Sequence, residues 1–238
     1  MSTDQQAVSL LGISVSSYKL NAFLSISGIY LLGIFLTWYL TGIFKIPLSD
    51  DISLKLLTLA TLQTVCTIII PFIWAIKRLN FSLQDLGVST KNLVLSIILG
   101  CALYALALAA FLHCTADPMI SNHPIRSLEM KDASIYFLAM AILVAGTDLA
   151  TRGYILFTLA RFTNLPIAIV MQNAAWYVGH IGEIKMLENC LGLWTAIGLT
   201  LTLGILGDVI ALKTRNVVGL SIAHILLNVT LVIYIRSL

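Results

Sequence analysis

The sequence predicts an all-α, polytopic membrane helix bundle of about seven transmembrane helices, with a polar pocket among the last four. Three observations carry that expectation. Hydrophobic residues make up 59% of the chain and charged residues only 11%, against roughly 45–50% and about 25% in soluble domains. Apolar runs of the length needed to cross a hydrocarbon core, roughly 20 residues for about 30 Å, recur along the chain. Ionisable and amide side chains interrupt the later runs and almost none of the earlier ones. So little charge cannot cover a soluble surface. A soluble enzyme, a disordered regulator and a disulfide-stapled secreted module are therefore excluded. The net charge of +3 is too small for a nucleic-acid footprint.

Residues 1–19 read as a polar, Ser-rich leader without the basic region of a signal peptide, interfacial or disordered. Residues 20–238 read as one membrane domain. The first span is expected at about Leu20–Phe44, closed by Lys45, Pro47 and the Asp50-Asp51 pair. The second covers about Leu54–Ile76 and stops at Lys77-Arg78, and the third covers about Leu93–Cys114. A polar loop follows to Asp132. The fourth run, about Ser134–Phe162, exceeds what one span requires and holds Asp148 and Arg152. Pro166 opens the fifth, to about Gly182. The sixth and seventh are about Cys190–Leu212 and Val217–Ile235. Helices satisfy their own backbone in lipid, whereas open sheets do not, and barrel strands are half as long.

The four cysteines, Cys66, Cys101, Cys114 and Cys190, form no C-x-x-C pair and are expected as small apolar packers. Lys and Arg divide too evenly between the two sides to orient the chain by number. The Lys77-Arg78 stop and the Lys213/Arg215 loop favour a cytoplasmic N-terminus.

An ionisable residue inside a span costs at least about 2.5–3.5 kcal/mol on insertion scales, so each one needs a reason. Asp148 and Arg152 are four apart and share a helix face. They form either a structural ion pair or part of a site. His224 and Asn228 repeat that spacing, as glue between helices or as site residues. His180 follows Trp176 by one turn. Three helices, each with a polar pair at helical spacing, can line one pocket inside the membrane.

That ordered set resembles a family. Asp148-x3-Arg152-Gly153-Tyr154, Trp176-x3-His180 and His224-x3-Asn228 are similar to the CAAX protease and bacteriocin-processing (CPBP, or Abi) intramembrane proteases. Their pattern is Glu-Glu-x3-Arg, Phe-x3-His and His-x3-Asn on successive helices. The Phe81-Ser-Leu-Gln-Asp-Leu-Gly87 loop, the Gly204–Gly207 run and the Lys213-Thr-Arg-Asn-Val-Val-Gly segment fit as well, so the resemblance covers about residues 80–235. It implies peptide hydrolysis within the bilayer. The first Glu activates water, while the histidines and the asparagine position it and stabilise the oxyanion. By that resemblance Asp148 takes the second Glu's place, and Arg152, His180, His224 and Asn228 match outright.

The departure is Thr147, which stands where the water-activating Glu belongs. A hydroxyl orients water but is no general base near neutral pH. Asp148 could act instead, although it projects roughly 100° away around the helix. Glu183, three residues after His180, is a second substitute carboxylate, or simply caps its span. Asp208 is a third buried acid, with Lys213 or Arg215 as a structural partner. His180, His224 and Asp148 could also hold Zn²⁺ with an open position, but no H-E-x-x-H motif demands it. Two functions remain. One is an intramembrane endopeptidase acting on a membrane-associated peptide or prenyl-type substrate. The other is a catalytically inactive pseudoprotease that binds or chaperones a membrane partner. A transporter is disfavoured because no inverted repeat or pair of broken helices is evident.

Overall fold

The computed structural model describes residues 7–10, 13–43, 52–114 and 124–237. Two short strands, β1 (Ala7–Leu10) and β2 (Ile13–Ser16), pair antiparallel with Ala7 opposite Ser16. The leader thus carries a hairpin that a polar reading does not announce; β-branched Val8, Ile13 and Val15 favour it. Most of the other described residues are helical.

Helix α1 is Ser17–Ile43. Helix α2 (Ile52–Thr64) runs through a π segment, π1 (Val65–Ile69), into α3 (Ile70–Leu79). The wider turns lie directly before Pro71, which has no N–H to give the ladder. Helix α4 is Leu93–His113, and a short 3₁₀ turn covers Pro124–Ser127. Helix α5 (Met130–Asp148), π2 (Leu149–Leu156) and α6 (Phe157–Phe162) form one continuous rod. Helices α7 (Leu165–Gly179), α8 (Ile181–Leu191), α9 (Leu193–Thr214) and α10 (Val217–Ser237) complete the chain. The expected stop at Lys45–Asp51 lies outside the described residues.

Among the described residues, six helical stretches are long and apolar enough to cross a membrane. The difference from seven is the expected fifth span. It ends at Gly179 after 15 residues, about 22 Å of helix, which is short of the hydrocarbon thickness. The chain turns at His180 (φ −112°, ψ 14°) and resumes as α8. Exposed positions along the spans stay apolar, as at Ile98 and Ile233.

Close helix contacts depend on missing side chains. A Cβ on Gly100 would lie 2.7 Å from Ala223 Cβ, and one on Gly219 would lie 2.7 Å from Leu93 O; α4 and α10 therefore pack backbone to backbone. A Cβ on Gly153, in the Arg-Gly-Tyr motif, would lie 2.9 Å from Leu86 O. At one end of the bundle Asn216 binds three strands of chain together. Its Nδ2 donates to Ser89 O and Lys91 O (2.6 and 2.8 Å), and its Oδ1 accepts from Gly219 N (2.7 Å).

At the other end Cys114 and Cys190 are joined in a disulfide, 5.6 Å between Cα atoms and 76 residues apart. This corrects the expectation of four separate packers. The two cysteines end different helices, α4 and α8, and nothing local in the sequence marks residues that only the tertiary fold brings within bonding range. Cys66 is buried as expected, while Cys101 is exposed.

Candidate functional site

The back half of the bundle buries a chain of charges. Asp148 and Arg152, both fully buried, pair through Oδ1 and Nη1. The second carboxylate oxygen, Oδ2, accepts from His224 Nδ1 at 3.1 Å. On its far side Arg152 Nε lies 3.3 Å from Asp208 Oδ1, and Asp208 Oδ2 accepts from Asn173 Nδ2 at 2.9 Å. The expected partner of Asp208 was Lys213 or Arg215; Arg152 takes that role from another helix. Every member of the row has a charged or hydrogen-bonding neighbour, which is the condition for keeping charge inside a membrane.

Aromatic rings hold this row in place. The Arg152 guanidinium lies 4.0 Å over the Trp176 ring, a cation–π contact in a dry setting. Trp176 also stacks on His180, at 3.8 Å between centroids. Tyr104 of α4 stacks on His224 at 4.5 Å. Trp176 is thus more than a substitute for Phe, because it links the charge row to the second histidine.

The two imidazoles lie nearly parallel, 5.8 Å apart at 14°. His180 Nδ1 is 2.8 Å from Trp176 O. A carbonyl only accepts, so Nδ1 carries the hydrogen and Nε2 keeps a lone pair. The same assignment follows for His224, whose Nδ1 donates to the carboxylate. Both residues line a cavity of about 540 Å³ together with Asn228, Glu183, Tyr136 and Thr200. That volume is in the range of small-molecule and peptide sites. The remaining wall is apolar. Asn228 donates to His224 O at 3.1 Å and retains a second amide hydrogen.

Three predicted site residues sit elsewhere. Asp148 and Arg152 lie behind the cavity wall and reach the cavity only through His224 and Trp176. Thr147 faces a second cavity of about 670 Å³, between α1, α2 and α7, whose wall includes Gln63, Tyr30 and Gly179. There Thr147 Oγ1 accepts from Gln63 Nε2 at 3.4 Å and donates to Leu143 O at 2.9 Å. Glu183 is the one expected substitute carboxylate on the histidine cavity; it sits half-buried in the first turn of α8. As zinc ligands, His180, His224 and Asp148 do not fit together. Asp148 meets His224 on the Nδ1 edge rather than converging with it on a shared point. Among the described residues no group of three His, Cys, Asp or Glu is arranged to hold a metal.

A family model described as Rce1-like, type II CAAX prenyl endopeptidase, matches residues 131–230. The matched region is CAAX protease-like. This Rce1-like region runs from α5 into α10 and includes Thr147, Asp148, Arg152, His180, Glu183, Asp208, His224 and Asn228. It is narrower than the expected 80–235, and the α4 wall of the cavity and the Phe81–Gly87 loop lie outside it. No curated protein and no solved structure matches the chain. Six membrane-length helices among the described residues make this a multi-pass integral membrane protein, and residues 131–230 are similar to the Rce1-like proteases. Sequence reasoning missed Asn173, Tyr104 and the true partner of Asp208. The single available hint was the amide at Asn173, one turn before Trp176-Tyr177 on an otherwise apolar helix.

Proposed function

We propose that this protein hydrolyses a peptide bond of a membrane-associated, prenylated or otherwise tethered peptide in the His180–His224 cavity. The observation that carries this is the His224 Nδ1–Asp148 Oδ2 hydrogen bond, 3.1 Å. A buried carboxylate that holds an imidazole in one tautomer leaves the other nitrogen as a base aimed at bound water.

In this scheme His224 replaces the missing Glu. Water is held between His224 Nε2 and His180 Nε2. His224 takes its proton as the water oxygen bonds to the scissile carbonyl carbon. The free amide hydrogen of Asn228 supports the oxyanion. As the C–N bond breaks, the imidazolium returns the proton to the leaving amine. Asp148 is a positioning residue, with Arg152 and Asp208 fixing it in turn. No metal is required by these steps.

Reconstituted protein is expected to cleave tethered peptides, and His224→Gln to abolish cleavage while binding persists. A specific observation favours the second reading, a pseudoprotease that only binds its partner. Thr147 places no carboxylate at the family's base position and faces the other cavity. Stoichiometric peptide binding by wild type without any turnover would select that reading.

A further inference from the structure

We infer that the histidine cavity opens on the oxidising side of the membrane, so that its ligand is a peptide segment presented on that side rather than in the cytosol. It rests on the proposed reaction only in taking the ligand to be a peptide; the route of access stands apart from the chemistry.

The Cys114–Cys190 disulfide marks one end of the bundle. Such bonds persist in oxidising compartments and are rare where thiols are kept reduced. Apart from His224, the cavity is lined from the middle of each helix to that end. Helix α4 contributes Phe111, three residues before Cys114, and α10 contributes Ile235, two before the end of the helix. Helix α5 contributes Tyr136, in its second turn, and α9 contributes Leu199, also in its second turn. Helix α8, which carries Cys190, supplies Met186 and Leu187. The Asp148–His224 pair is the floor.

The opposite end carries Lys77, Arg78, Lys91, Arg161, Lys213 and Arg215, as expected for the cytoplasmic face. Its loops are closed by the Asn216 hydrogen bonds and by buried Leu86, Val217 and Leu220. The disulfide end also carries Arg126, Lys131, Lys185 and Arg236, so the disulfide carries the orientation, which puts the start of α1 on the cytoplasmic side, as the Lys77-Arg78 stop and the Lys213/Arg215 loop favour. Because the wall is largely apolar, the bound stretch is uncharged and extended, next to a lipid anchor or span.

The test uses full-length protein in sealed vesicles of both orientations, with Cys66→Ala and Cys101→Ala as background. An impermeant maleimide is expected to label the exposed positions Ser237→Cys from the oxidising side and Lys213→Cys from the cytoplasmic side. Non-reducing peptide mapping is expected to find Cys114 joined to Cys190. The reverse labelling pattern, or two free thiols in protein taken directly from cells, overturns the inference. A tethered peptide is then supplied to one side at a time. Cleavage from the oxidising side supports the inference, and cleavage from the cytoplasmic side alone overturns it. If the labelling holds and neither side is cleaved, the access route stands and the hydrolytic reading fails.

Discussion

His224 and Asp148 come from helices 76 residues apart, and they meet at 3.1 Å with the other carboxylate oxygen held by Arg152. Asp148→Asn presents an amide to Nδ1 and favours the opposite tautomer. Turnover is expected to fall by about 10²–10⁴-fold, with peptide binding retained. Histidine ¹⁵N spectra should show the His224 hydrogen on Nδ1 in wild type and moved in the variant. An unchanged kcat in both Asp148→Asn and His224→Gln, with loss in Glu183→Gln, would transfer the base role to Glu183.

Thr147 and Gln63 share a cavity with no histidine on its wall. Thr147→Glu is therefore expected to leave kcat unchanged, because the new carboxylate enters the neighbouring space beside Gln63 and Gly179. A marked rise in kcat would place the reacting water on that side and remove His224 as the base.

Asp208 is fully buried and balances Arg152. Asp208→Ala leaves the guanidinium with one carboxylate, and removing a partner from a buried pair costs about 3–5 kcal/mol. A clear drop in the thermal midpoint in detergent is expected. Lys213→Gln and Arg215→Gln should change it little, since neither residue contacts Asp208. Equal losses in all three variants would contradict the observed pairing.

A Cβ on Gly207 would sit 2.8 Å from Arg152 Cζ, inside a site with no free space. Gly207→Ala is expected to cost about 1–3 kcal/mol by overpacking. It should also lower kcat, since the displaced guanidinium releases Asp148. Gly198→Ala on the same helix meets nothing within 4 Å and should retain wild-type activity.

Outside the spans, Asp85 accepts the backbone N–H and the hydroxyl of Ser82, at 2.8 and 2.7 Å. These bonds favour the ionised form and hold the carboxyl below its usual range. A depressed folded value adds stability that is present above the unfolded value of about 3.9 and is lost as pH falls through the folded one. The midpoint difference between wild type and Asp85→Asn should therefore shrink on acidification. A difference that grows on acidification would reverse the sign.

The helices and the polar pairs were legible because both are local. A span is a run of apolar residues, and Asp148/Arg152 and His224/Asn228 share faces by their spacing alone. The break at His180 was legible in principle, since Gly179 and Gly182 flank it, but the apolar run masked it. The Asp208–Arg152 and His224–Asp148 contacts were not legible. Each joins separate helices, and several carboxylate–cation pairings fit the same spacing. Nor was the orientation of Thr147, because the walls of its cavity come from α1 and α2, far away in the chain. The disulfide was hidden for the same reason.

The π segment at Leu149–Leu156 also sets the phase of the rod in which it lies. It carries Arg152, Gly153 and Tyr154, which face the charge row, Leu86 and α1 in turn. Removing one residue from it would let ordinary helix resume and turn everything downstream by about 100°. The motif would survive as a string of letters while its side chains faced the wrong neighbours. In this rod, length between fixed points is as constrained as residue identity, and insertions or deletions there should be less well tolerated than most substitutions.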